Sequence, residues 1–380
     1  MKRVIITGGV AALGLAASLA PVPASASASA SASVTVVASK LDGPRGLAFG
    51  PDGALYVAES GSGGKIQCAT VPAEPGGKAS KVCLGLTGKI SKLAGGTLTT
   101  VVKDLPSAGS DGLGTGPHDV AFAEDGSMLV PVGLGGDGKL RAGLGPKGRT
   151  LGTLLKIKDG KSSVMGDLLA FEVKHNPDKK DKGSAIDSYP FAVVPTPQGG
   201  ALVTDVGGND VLQVSPSGKV TLRAVFHARK VAAPAMLKLP KGSKVPMQSV
   251  PMGIAAAPDG SYYVAEHAGF PQPEGVARVF RLAGKKAETA VKGFTTAVDV
   301  AFDGAGRLLV LGSVGPVPSD QQPRTSLYRI EADGSRTELL KPGTLTVPLG
   351  MAVAGDGSVY VSNKGFTPGK GEIVRVELPS

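Results

Sequence analysis

The chain has 380 residues, among them 56 glycines and 29 prolines, with no tryptophan and only 4% aromatic residues. That length holds one large domain or two ordinary ones, and so much glycine suits a turn-dense β protein rather than a helical one. The net charge of +10 comes from scattered lysines, with one cluster at Lys174–Lys182 and no interleaved aromatics for base stacking, so a nucleic-acid partner is not expected.

Residues 1–32 read as a secretory signal peptide. Lys2 and Arg3 form a basic start, Val4–Ala20 is a mostly apolar run, and an Ala-Ser tract follows Pro21 and Pro23. The run is too short and too interrupted by glycine for a good membrane span, and no cysteine follows it as a lipid acceptor. Cleavage is expected at one of several Ala-Ser steps between Ala24 and Ala32, leaving an exported, soluble and monomeric domain over 33–380 with no transmembrane segment.

Val34–Ser39 (VTVVAS) is expected to be a strand, and the first hairpin follows in Gly43–Ser60 (GPRGLAFGPDGALYVAES). Asp-Gly between two short β-prone runs marks a tight turn, because the turn needs residues that tolerate positive φ. The pattern returns at 116–130, in degraded form at 189–203, and again at 250–264, 296–310 and 347–361, six copies in all. Most copies are followed by a second strand pair, such as Ser326–Ile330 with Thr337–Leu340. Four short strands per unit, repeated in one order, predict an all-β, six-bladed β-propeller; a generic sandwich of hairpins is the weaker alternative. The spacings run from about 45 to 75 residues, above the usual ~40–50, so insertions are expected in the first three blades. The last copy ends at Ile373–Leu378, one strand short. Val34–Ser39 is expected to supply that strand and close the ring.

Cys68 and Cys83 are the only cysteines and bracket an insertion in the first blade. In an exported chain they are expected to form a disulfide, worth roughly 3 kcal/mol for a loop of about 15 residues. Gly133–Gly152 is expected to be a loop. It lacks the strand-loop-helix context of a phosphate-binding loop, since another strand, Leu154–Ile157, follows. Asp167–His175 predicts a short helix capped by Asp167 and ended by Asn176-Pro177. Glu172 and His175, three residues apart, are read as a solvated helix face rather than a metal pair.

The motifs Val132-Gly-Leu-Gly-Gly136, Leu151-Gly-Thr-Leu-Leu155, Asp167-Leu-Leu-Ala-Phe-Glu172, Val203-Thr-Asp205 and Gly207-Gly-Asn-Asp210, with Cys68 and Cys83, resemble the ScyD/ScyE family in residues and in order. The resemblance spans nearly all of 33–380. It implies a secreted NHL/TolB-like propeller and, by the family's name, a link to secreted-metabolite assembly. It carries over no catalytic residue. The chain departs at Asp187-Ser-Tyr-Pro190, where relatives tend to have Asn before Pro-Tyr.

In a propeller the first strand of each blade lines the channel and the second runs back beside it, so the start of one and the end of the other reach the same face. The second strands end at Glu59, Val132, Asp205, Glu266, Gly312 and Asn363, and the first strands start at Arg45, His118, Phe191, Met252, Val298 and Leu349. Asp119 and Asp299 lie one residue further on in two blades. If Glu59, Asp119, Asp205, Glu266, Asp299 and Asn363 converge, their oxygens suit Ca2+ or Mg2+. With His118 or His267 as a base they suit a metal-dependent lyase or lactonase, resembling the streptogramin lyase and gluconolactonase propellers. His175 and His227 are assigned to loops. The competing reading is that these oxygens cap strand ends. The expectation is a non-catalytic binding or scaffold propeller whose extracellular ligand is a protein, a polysaccharide or a small molecule.

Overall fold

In the computed structural model the described residues are 32–71, 79–110, 113–181, 183–284, 286–317 and 323–378. The expected signal segment, but for residue 32, lies outside them. The Asp-Gly hairpins form through side-chain chemistry local to each turn. Asp52 Oδ1 accepts from Ala54 N at 3.2 Å, and Asp125, Asp259 and Asp356 each accept the N–H two residues on. The following glycine carries the positive φ, +74° at Gly53 and +78° at Gly260. Each turn is thereby fixed before any long-range contact forms.

The resulting strands make six antiparallel blades. Blade 1 is built on Pro44–Phe49, Leu55–Glu59, Ser80–Ala94 and Thr97–Ser110. Blade 2 follows with Ala121–Phe122, Met128–Val132, Thr153–Lys158 and Lys161–Asp167, and blade 3 with Pro190–Pro195, Ala201–Asp205, Asp210–Val214 and Val220–Val225. Blade 4 holds Ser249–Ala256, Tyr262–Ala268, Ala277–Ala283 and Lys286–Phe294, and blade 5 Thr296–Phe302, Leu308–Ser313, Ser326–Ile330 and Arg336–Glu338. Blade 6 consists of Gly350–Val353, Val359–Asn363 and Gly371–Glu377, and its fourth strand is the N-terminal Ser33–Leu41. That strand pairs antiparallel with Gly371–Glu377, from Ser33↔Glu377 to Leu41↔Gly371. The chain is therefore an all-β, six-bladed propeller closed by its N-terminal strand, and the closure leaves blade 6 without a bare edge on that side.

The core is split among the blade interfaces. Val130 and Leu155 of blade 2 pack on Ala58 and Ile90 of blade 1, and Leu41 and Ile373 meet Leu47, Leu55 and Val57 of blade 1. Elsewhere buried Phe191, Phe226, Phe280, Phe294 and Tyr328 join the aliphatic side chains, so stacked sheet faces fill without tryptophan.

Cys68 and Cys83 form the expected disulfide, joining Gln67–Val71 to Ser80–Ala94. The helix Leu168–His175 is also present, with Asp167 accepting from Ala170 N. Three expectations change. Gly133–Gly152 is more than a loop: it contains a helix, Gly138–Gly143, whose cap Asp137 accepts from Lys139 N and Leu140 N, and a 3-10 turn, Pro146–Gly148. Leu140, Leu144 and Leu151 anchor that excursion in the blade 1–2 core. Glu172 is not on a solvated face but buried, and His175 ends the helix rather than lying in a loop.

Candidate functional site at the channel mouth

The first strands of all six blades enclose a cavity of about 300 Å³. Asp119 and Asp299 line it from blades 2 and 5, each opening an Asp-Val-Ala-Phe stretch. Asp119 accepts from Val120 N and, across the blade boundary, from Val193 N at 2.9 Å. Asp299 accepts from Val300 N and from Met351 N of blade 6, both at 2.8 Å. On the other side the carboxylates press on Gly46 and Gly253, where a Cβ would run into the side chain and lie within 3 Å of the Asp Cα. Each aspartate thus clamps three consecutive blades. Burial lifts Asp299 to about 7. Burial, followed by the Asp299 charge, lifts Asp119 well above the usual carboxylate range.

At the mouth the structure brings Arg45 and His118 together, one from each of the first two blades. Arg45 is 3% exposed; its Nη2 donates to Gly114 O at 3.3 Å, while Nε and Nη1 have no partner. The Phe366 ring lies over the guanidinium, 4.4 Å from centroid to Cζ, and among the described residues no carboxylate pairs with it. His118 is 1% exposed and its Nδ1 stands 2.8 Å from Gly116 O, so Nδ1 carries the proton and Nε2 keeps its lone pair, unpartnered. Burial, and then the Arg45 charge, push His118 down to about 3, so the ring is neutral at physiological pH. Burial also pulls Arg45 below its ordinary value, yet a guanidinium stays charged. Tyr189 meets the His118 ring edge-on at 4.7 Å and Phe191 at 5.3 Å. The mouth therefore offers one unpaired buried cation, one neutral acceptor and aromatic walls.

The remaining sequence candidates have separate partners. Glu59 accepts from Asp42 N at 2.6 Å, bonds Ser91 and pairs with Lys89. Asp205 accepts from Ser188 Oγ, Tyr189 N, Gly207 N and Gly208 N. Glu266 is held by Arg229, Arg278 and Ser249, and Asn363 accepts from Thr346 N while donating to Glu372. These four side chains sit in four blades, each held by its own set of partners, and among the described residues no three His, Cys, Asp or Glu side chains stand at metal-binding spacing. The second strand of a blade lies one interstrand step, about 4.8 Å, farther from the axis than the first, so its ends fan outward. His267 bonds Thr296 Oγ1 at 2.8 Å through Nδ1, between blades 4 and 5, whereas His118 is bonded within blade 2. Phe366 and Tyr189 were not singled out from the sequence; an exposed aromatic in a glycine-rich turn after the last hairpin was the available signal for Phe366.

No protein-family model matches the chain, and no curated protein matches it in sequence. Solved structures do. A gluconolactonase from Xanthomonas campestris aligns over 92% of this chain and 90% of its own at 11% identity, with a TM-score of 0.52. A protein of unknown function from Bacteroides thetaiotaomicron aligns over 92% of this chain and 76% of its own at 9% identity, with a TM-score of 0.53. A streptogramin B lyase aligns over 92% and 98% at 15% identity, with a TM-score of 0.48. Identities this low speak to the propeller fold alone.

Proposed function

We propose that this chain is an exported, ScyD/ScyE-like binding propeller that holds a small anionic, hydroxyl-bearing ligand at its channel mouth without transforming it. The observation that carries the reading is the Arg45 guanidinium, buried with two nitrogens unpartnered. A buried charge without a counterion is costly, and a carboxylate or phosphate would satisfy it with charge-assisted bonds. His118 Nε2 would accept a ligand hydroxyl, and Tyr189, Phe191 and Phe366 would pack on a ring or chain. Phe366, 47% exposed, is the cover that must move aside. His118 and Phe191 also line the adjoining channel cavity of about 300 Å³, a space for a small molecule rather than a polysaccharide or protein. The disulfide is consistent with an oxidising compartment, and no helix among the described residues is long and apolar enough to cross a membrane. A metal-dependent lyase or lactonase has less behind it, because the second-strand oxygens it would use are committed to neighbouring backbone and side-chain groups.

The reading is tested by calorimetric titration of the full exported chain with 4-hydroxybenzoate and with inorganic phosphate, in wild type and Arg45→Gln. At least one anion should bind wild type, and its affinity should fall tenfold or more in the folded variant. Absence of binding by either probe, or equal affinity in Arg45→Gln, would contradict the proposal.

A further inference from the structure

A second site lies away from the channel, where the helix after blade 2 meets the turn between the second and third strands of blade 3. The helix Leu168–His175, capped by Asp167, turns Glu172 inward. The turn runs Asp205-Val-Gly-Gly-Asn-Asp210, and Asn209 takes a φ of +50° so that Asp210 can begin the next strand. Glu172, Asp205 and Asp210 converge over Gly208: a Cβ there would lie 3.2 Å from Glu172 Oε2 and 3.6 Å from the carboxyl carbons of Asp205 and Asp210. Asp178 joins them, one oxygen held by Asn209 Nδ2 at 2.9 Å and the other free.

An acidic cluster alone proves nothing, since carboxylates often serve as turn caps. Asp205 does so here, with four donors. Glu172 and Asp210 are different. They are 1% and 0% exposed, and all four of their oxygens lack a hydrogen-bond partner. Asn209 Oδ1 is also unpartnered. Among the described residues no Lys, Arg or His pairs with Glu172, Asp178 or Asp210; the nearby His227 is taken up by Asp181 at 3.2 Å. The cluster thus gathers buried carboxyl groups that, among the described residues, have neither a hydrogen-bond donor nor a cation to satisfy them.

We propose that Glu172, Asp178 and Asp210, backed by Asp205, bind one Ca2+ ion that ties the helix to the blade 3 turn. Ca2+ takes six to eight oxygens in adaptable geometry, which fits carboxylates and an amide oxygen on three separate segments better than the strict octahedron of Mg2+ does. The cluster offers no thiolate or imidazole for a softer metal. Among the described residues no three carboxylates stand at coordination spacing, so an ion would have to draw Glu172 and Asp210 inward. This site is independent of the channel-mouth reading and needs none of its residues.

The test compares chelator-stripped wild type with Glu172→Gln and Asp210→Asn by thermal unfolding and calorimetry with CaCl2 and MgCl2. Wild type should bind one Ca2+ per chain, more tightly than Mg2+, and its Tm should rise with Ca2+. Each variant removes a repelling charge while keeping shape, so without metal it should melt no lower than wild type, yet lose at least tenfold in Ca2+ affinity. Opposite movements of the metal-free and Ca2+-loaded Tm values separate a cation site from a fold defect. No Ca2+ binding by folded wild type, or an unchanged Ca2+ increment in both variants, would overturn the proposal.

Discussion

Asp299 makes the stability of this propeller depend on pH with an unusual sign. Its carboxyl is buried between blades 5 and 6 and lifted to about 7, whereas in the unfolded chain it titrates near 3.8. Between these values the folded protein holds a proton that the unfolded chain has lost, so stability falls as pH rises through the window and levels off above it. At about 1.36 kcal/mol per unit, the full span is on the order of 4 kcal/mol. The groups facing Asp299 in the channel are Asp119, itself raised by the Asp299 charge, and the neutral His118. In Asp299→Asn the titration disappears. The amide oxygen can still accept from one of the two N–H groups, and the other loses its acceptor, a penalty of about 1–3 kcal/mol. Urea unfolding from pH 4.5 to 8.5 should therefore find the Asp299→Asn variant less stable than wild type at the acid end, with the gap narrowing or reversing by pH 8. Groups not coupled to Asp299 cancel in that difference, whereas Asp119, relieved of the Asp299 charge, shifts with it. Parallel stability curves for the two proteins would refute the reasoning.

Three further outcomes follow from the same geometry. Removing residues 32–39 should uncover Val374 and Val376, both buried, at a cost of about 3 kcal/mol for two partly exposed valines, and an unaltered Tm would sink the closure. Glu266→Gln should leave the Arg229 and Arg278 guanidinium groups without their counter-charge and with one acceptor oxygen instead of two; because these are 30% and 21% exposed and can partly hydrate, the expected loss is about 2–3 kcal/mol rather than more, read as a lower urea midpoint. Gly253→Ala should cost about 3 kcal/mol, since its Cβ would sit 2.7 Å from the Asp299 Cα and backbone must shift; a stability equal to wild type would show that the clamp yields easily.

The blades were legible because their signal is local. Asp52, Asp125 and Asp259 fix their turns through bonds two residues long, and the closing strand follows from counting strands in the last blade. The helix over Gly138–Gly143 was obscured by glycines around it, although Leu140, Leu144 and Leu151 mark its buried side. The site was harder to read. Arg45, under Phe366, and His118, against Tyr189, belong to different blades, and only the ring brings them together. The oxygens of Glu59, Asp205, Glu266 and Asn363 look equivalent in an alignment of repeats, yet each is held by different partners, backbone N–H groups at Glu59, Asp205 and Asn363 and two guanidinium groups at Glu266. Glu172 looks solvated on its own helix because the turn that covers it belongs to the next blade.

The central claim is that the channel mouth is a binding site built around Arg45. Crystals of the protein soaked in 4-bromobenzoate test it, because the bromine locates the ligand by anomalous scattering. One peak is expected at the mouth, beside Tyr189 and a displaced Phe366, with the carboxylate on Arg45 Nε or Nη1, and no such peak in Arg45→Gln crystals. A ligand bound elsewhere, or a mouth left closed by Phe366 at saturating probe, would contradict it.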